Sequence, residues 1–229
     1  AAITDSVNHV KMSVRSPRLL PRVAIVDPVL LGSLPHIVAA TSGIDALVHA
    51  IEGYYSLRSS ALSDVFALEA IRLLHTNLRP FVSNPANIEA ASAMAMGSLL
   101  AGVVISNTGT GNDHAIARAL GGVCDMPHGL ATAVMLAPVL RFNALARPAH
   151  TAKLAECFGL KADARRAAAV VVEEVEALIA DLRVPDRLGP LGVSRNQIPE
   201  IVDIAHGNVG PNPRKTSKED LTRLIEEVF

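Results

Sequence analysis

Short runs rich in β-branched and apolar residues mark the first 28 positions: AAIT, VKMSV and VAIV, separated by polar or Pro-containing turns. Such runs predict extended segments. DPVLLGSLP, beginning at Asp27, predicts a turn region that stops the last of them. From about Thr41 the apolar positions recur every three or four residues, which predicts helix. Thr41 or Ser42 is the expected N-cap of IDALVHAIEGYY. SDVFALEAIRLLHTNLRPFV lines up Phe66, Ala70, Leu73, Leu74 and Leu78 on one face. NIEAASAMAMGSLLAGVVISN is small and apolar throughout, the pattern of a buried helix. HAIARALGG, HGLATAVMLAPVLRFNALA, AHTAKLAECFG and DARRAAAVVVEEVEALIADLRVP follow, each closed by Gly or Pro, and then SRNQIPEIVDIAHGN and SKEDLTRLIEEVF. In the last of these, Ser217 and Asp220 have the spacing of an N-cap with an acid three residues on. The chain shows no internal repeat and no low-complexity tract, although 162–182 is rich in Ala, Val and Glu. The expected fold is mainly α: a short extended or β entry, then a domain of seven to nine helices.

Composition narrows the function classes. Half of the 229 residues are hydrophobic, enough for a sizeable core. With 21 basic and 22 acidic residues there is no electrostatic footprint for nucleic acid or an anionic membrane. Aromatics make up 3% and Trp is lacking, which argues against stacking platforms for single strands. Cys124 and Cys157 form no CxxC pattern; they read as reduced thiols of a cytoplasmic protein, with a disulfide as the alternative. No apolar run reads as a membrane span: the longest candidate, ALARPAHTAKLAECFGL, is broken by Pro148 and by charges. AAITDSVNHVK lacks the basic start and apolar stretch of a signal peptide, and no Met opens the chain, so a processed product or a fragment is expected.

The candidate chemistry begins with GIDALVHAIEGYY, where Asp45 and His49 lie one helical turn apart in an otherwise apolar stretch. On a helix both project from the same face and could donate to one divalent cation. The alternative is that Asp45 pairs locally and His49 is a hydrogen-bonded core histidine. A second stretch, NTGTGNDHAIARALGGVCDMPHGLATAVMLAPVLRFN, supplies His114 after a Gly-rich turn, with Asn112 and Asp113 as possible caps, and His128 after Pro127. Both histidines fall where a loop meets a predicted helix, positions that can converge on one point. Three imidazoles and one carboxylate form a plausible donor set for a borderline divalent metal. Gly109, Gly111, Gly121 and Gly122 do not have the spacing of a phosphate-binding loop and read as turn and helix-end residues. Glu52 could orient His49 from one turn on, or be a solvated surface residue. His9, His36, His75, His150 and His206 are expected in loops or on helix surfaces, His206 alone with a route toward the site.

LLPRVAIVDPVLLGSLP, TSGIDALVHAIEGYYS, LAGVVISNTGTGNDHAIARALGG, MPHGLATAVMLAPVLRFN and NPRKTSKED occur in this order, and the ordered set resembles the iron-containing (group III) alcohol dehydrogenase family over nearly the entire chain. The resemblance implies a Rossmann-like domain that binds NAD or NADP, followed by an all-helical, dehydroquinate synthase-like domain that holds the metal. It implies Asp45, His49, His114 and His128 as ligands of Fe²⁺, with Zn²⁺ as the frequent substitute. Residues 1–28 would then be the tail of a nucleotide-binding domain preceding residue 1, and 29–229 the metal-binding domain. The implied activity is NAD(P)-linked hydride transfer between a small alcohol and its aldehyde; the isolated chain would show little of it. Neighbouring possibilities are a glycerol dehydrogenase-like enzyme, a maleylacetate reductase-like enzyme that need not hold a metal, or a non-catalytic fragment. A homodimer is a further inherited expectation.

The chain departs from the family's pattern at two informative places. Arg118 stands where many members have a second histidine thought to help move a proton, and arginine is a poor general base. It could instead recognise a substrate carboxylate or phosphonate, or a cofactor phosphate, or pair with Asp125 or Glu52. Ile105 stands where relatives often carry a bulky aromatic, which suggests either a roomier substrate pocket or plain core variation.

Overall fold

The computed structural model describes residues 2–5, 10–13, 16–19, 21–163 and 165–229. Among them are a short antiparallel pair, β1 (Ala2–Asp5) and β2 (Val10–Ser13), and nine α-helices. These are α1 (His36–Tyr55), α2 (Ala61–Ser83), α3 (Ile88–Thr108), α4 (Asn112–Val123), α5 (His128–Ala144), α6 (Pro148–Cys157), α7 (Ala167–Asp181), α8 (Ile198–His206) and α9 (Lys218–Glu227). The mainly α expectation holds, with two of the three extended runs in strands. Ala1, Val14 and His9 lie outside the described residues.

Two local expectations need correction. VAIV (23–26) forms no strand: the segment has no regular secondary structure and is exposed, with Ile25 90% accessible, and no described strand lies beside it to pair. The expected cap at Thr41 or Ser42 is also wrong. α1 starts at His36 behind Pro35, whose fixed φ prepares the helical start, and the Thr41 hydroxyl donates back to the Ile37 carbonyl at 2.7 Å. The turn after Asp27 is a 3₁₀ turn, Pro28–Ser33, capped by the Asp27 carboxylate accepting from the Val29 N–H.

Where local chemistry was explicit, the caps follow it. Ser217 Oγ accepts from the Asp220 N–H while the Asp220 carboxylate accepts from the Ser217 N–H. Asn87 caps α3 by accepting from the amides of Glu89 and Ala90.

The helices enclose two apolar clusters. One joins α1, α2, α3, α6 and α7, and includes Leu47, Leu74, Leu78 and Leu178. The other joins α4, α8 and α9, and includes Leu120, Ile201 and Leu221. α5 serves both: Ala133, Leu136 and Leu140 belong to the first, and Val134, Met135 and Val139 to the second. That explains why its sequence is apolar on every face. α1 lies on one side of this seam and α4 on the other, so the three segments singled out for chemistry meet there.

α3 is long and apolar enough, by length and composition, to cross a membrane, contrary to the expectation that no segment would qualify. Here it packs on α1 and α2, burying Met94, Gly97, Ala101 and Val104 and leaving Met96, Leu99 and Val103 exposed. The Leu74 side chain lies directly beneath Gly97, where an added Cβ would come within 2.7 Å of Leu74 Cγ. Leu74→Ala leaves a cavity in this close contact and is expected to destabilise the fold by about 2–5 kcal/mol. Thermal unfolding should register this as a fall in Tm on the order of 10 °C.

Candidate metal centre

Asp45 projects from the middle of α1, His114 from the first turn of α4, and His128 is the first residue of α5. Close backbone approach draws α5 to α1: a Cβ on Gly129 would stand 2.9 Å from the Thr41 carbonyl oxygen. As a result the potential ligand atoms of Asp45, His114 and His128 all lie within 4.8 Å of one another. Asp45 Oδ1 is 3.6 Å from His114 Nε2 and 3.7 Å from His128 Nε2. Those separations are too long for hydrogen bonds. They are close to the roughly 3.3–3.6 Å edge of a tetrahedron whose ligands lie about 2.0–2.2 Å from a central ion.

His49 stands at the margin of this set. Its Nδ1 is 3.8 Å from Asp45 Oδ2, and its ring lies against that of His114 with centroids 4.2 Å apart. Burial, followed by the neighbouring His114, lowers its pKa to about 4 against the opposing pull of Asp45. Its imidazole is therefore neutral near pH 7, the form that can donate to a metal. The structure thus gathers three of the four expected donors into one cluster and brings the fourth into contact with two of them.

Glu52 is the residue that sequence reading misplaced. It neither orients His49 nor faces solvent. Only 6% accessible, it accepts from the Gly111 N–H (2.7 Å), the Asp113 N–H (2.7 Å) and His114 Nδ1 (2.8 Å). Burial pushes its pKa up, but His114 and the two backbone amides outweigh burial and hold it below the ordinary value. With Nδ1–H directed to Glu52, the free lone pair of His114 sits on Nε2, toward Asp45. Asn112 and Asp113 do not cap α4 as expected; Gly111 occupies that position.

The chemistry of the pocket fits a cation. Asp45 Oδ1, His114 Nε2 and both Asp113 oxygens are buried with no hydrogen-bond partner. Burial, reinforced by the charges of Glu52 and Asp45, drives the Asp113 pKa well above its usual range. Asp113 is thereby favoured in its neutral form, and the unpaired Asp45 Oδ1 and His114 Nε2, which lie in the group with His128, are the atoms a cation would satisfy.

Arg118 lies one turn beyond His114 on α4, half-buried, and its Nη2 donates to the Asn208 carbonyl just past α8 at 3.2 Å. Sequence reading anticipated neither this carbonyl nor α8 as its neighbour. His206 ends α8 as an exposed residue. His75 and His150 are half-buried rather than on the surface, the first bonded to Glu174 and the second against the Tyr54 ring. An open groove of about 730 Å³ runs between the Pro28–Ser33 turn, α1 and α3, past Gly43, Ala46, Val103 and Asn107.

A mainly helical domain with a partly buried carboxylate–imidazole cluster at its central seam is the class these features define. The chain belongs to the iron-containing alcohol dehydrogenase family: residues 39–229 match the family's C-terminal region. It is 38% identical over 232 residues to a 1,3-propanediol dehydrogenase of Citrobacter freundii, covering 99% of this chain and 60% of that protein. It is 34% identical to an NAD-dependent methanol dehydrogenase of Bacillus methanolicus, covering 100% of this chain and 61% of that one. The solved structure of a 1,3-propanediol oxidoreductase superposes with a TM-score of 0.96 at 37% identity, covering 100% of this chain and 61% of that one. The chain thus spans about 60% of the length of these relatives.

Proposed function

We propose that this chain is the helical, metal-binding part of an NAD(P)-linked alcohol dehydrogenase or aldehyde reductase acting on a small alcohol. The observation that carries the reading is the convergence of Asp45, His114 and His128 donor atoms within 4.8 Å. Asp45, His114 and His128 hold the metal, with His49 as the fourth ligand one turn from Asp45. Iron(II) or zinc(II) suits this donor set, and when bound it supplies Lewis acidity to a substrate oxygen. Glu52 fixes the tautomer and tilt of His114. Residues 1–28 belong with the nucleotide-binding domain and 29–229 form the metal-binding domain. NAD or NADP is held mainly by the part of the relatives that this chain does not span. A maleylacetate reductase-like enzyme without metal is the weaker reading, because it leaves the buried Asp45 Oδ1 and His114 Nε2 without a partner. Cys124 and Cys157 are both free thiols, in keeping with a cytoplasmic protein.

Elemental analysis of the purified chain, stripped with chelator and reloaded, is expected to find one iron or zinc per chain. Retention of neither metal sinks the reading. Arg118, one turn from His114, recognises a substrate anion. Arg118→Ala is expected to weaken binding of a small oxo-acid to the metal-loaded chain by about tenfold or more, in line with the strength of charged hydrogen bonds. The neutral aldehyde analogue should be unaffected. Equal weakening of both in titration calorimetry removes Arg118 from this role.

A further inference from the structure

The loop 207–217, between α8 and α9, crosses the outer side of the turn that delivers His114. Contact between them is at backbone level: a Cβ on Gly210 would come within 1.9 Å of the Thr110 carbonyl oxygen, and the Pro211 ring packs on Gly109. The Pro211 carbonyl accepts from the Leu57 N–H at 2.8 Å, which ties the loop to the chain just beyond α1. Inside the loop is a buried carboxamide, Asn212. It exchanges two hydrogen bonds with Asn143 of α5, each 2.9 Å, and its Nδ2 also donates to the Arg214 carbonyl. Two residues beyond Arg214, the hydroxyl of Thr216 accepts from Asn112 Nδ2 at 2.9 Å.

Gly111 lies between this amide and the site. A Cβ there would stand 2.9 Å from Asn212 Oδ1 and 2.9 Å from Glu52 Oε1. The turn has no free volume on either side: the carboxamide backs it and the carboxylate receives its N–H. Glu52 then holds His114. The chain of contact runs from Asn143 to Asn212, to Gly111, to Glu52 and to the imidazole.

We propose that Asn212, locked by Asn143, is a positioning residue for the metal centre: it seats the Gly111 turn on Glu52 and so sets the angle at which His114 Nε2 faces Asp45. The inference rests on the metal-binding reading above. Two carboxamides in reciprocal contact form a rigid, uncharged strut, which holds position without placing further charge beside a crowded carboxylate cluster.

The test uses cobalt(II) as the probe, with affinity measured by competition against a chelator and coordination followed by the visible absorption bands. Asn212→Ala and Asn143→Ala are each expected to weaken cobalt binding by about tenfold to a hundredfold and to alter the bands. The double variant should be no worse than the weaker single, because the pair acts as one unit. Leu178→Ala, buried in the other cluster, should lower Tm while leaving affinity and bands unchanged. Should Asn212→Ala fail to fold, Asn143→Ser, which keeps Asn212 but removes its lock, gives the same reading. Lowered Tm with affinity within twofold of wild type and unchanged bands overturns the inference alone. A wild-type chain that binds no cobalt overturns both it and the metal reading.

Discussion

Replacing His114 and His128 together by alanine is expected to reduce metal retention to background. A four-ligand site is worth about 10–16 kcal/mol at neutral pH, so an equal share is roughly 3 kcal/mol per ligand. Losing two weakens binding by roughly 10⁴-fold. Asp45 and the marginal His49 would remain, adjacent on α1, and two adjacent donors are too few for a closed site. The measurable consequence extends to stability. A metal that binds the folded chain raises its Tm by mass action. Wild type should therefore melt higher with added Zn²⁺, and the double variant should melt at the same temperature with and without it. His128→Ala alone separates ligation from folding better than His114→Ala, because His128 is part-exposed, whereas His114 is buried and bonded to Glu52. A double variant that keeps the wild-type metal content and the zinc-dependent rise in Tm would remove these histidines from the site.

The sequence made the helices legible where one face repeats at three- and four-residue spacing, as in α2, and where a cap is written locally, as at Ser217 and Asp220. It offered four ligand candidates, Asp45, His49, His114 and His128, each at a helix start or one turn from another donor, and the structure brings the donor atoms of Asp45, His114 and His128 together. It failed where the deciding partner is remote. Glu52 looks, from its neighbours, like an attendant of His49. Its actual partners are 59, 61 and 62 residues away, beyond any periodicity argument. Asn143 and Asn212 are 69 residues apart and have no local signature at all. The VAIV run had the composition of a strand, but strand formation depends on a neighbouring strand, which the described residues do not provide. The start of α1 is hard to read because its opening, HIVAATSG, lacks clear periodicity; Pro35, immediately before the first helical residue, is the better signal.

Glu52→Ala is expected to have the largest effect of any change outside the ligands. Its carboxylate faces the N-terminus of α4, taking two amides there together with His114 Nδ1, so the favourable field of the helix end adds to three hydrogen bonds. Alanine strands three buried donors at once, and at about 1–3 kcal/mol for each unsatisfied group the loss is about 3–5 kcal/mol after partial relaxation. His114 also loses the contact that fixes its tautomer, which lowers metal affinity by a further tenfold to hundredfold. Glu52→Gln separates the two consequences. It keeps the shape and one acceptor oxygen but turns an amide toward donors, so affinity should fall about tenfold with a smaller loss of stability. The metal-free proteins should also differ in their acid response. The folded pKa of Glu52 lies below its ordinary value of 4.5. Its contribution is therefore complete above that value and is lost as pH falls through the lower folded pKa. The stability gap between wild type and Glu52→Gln should accordingly be full at neutral pH and close under strong acid. Urea unfolding across that range is the measurement, and a gap that instead widens on acidification, or metal affinity within twofold of wild type in Glu52→Gln, would show that Glu52 does not hold His114 in place.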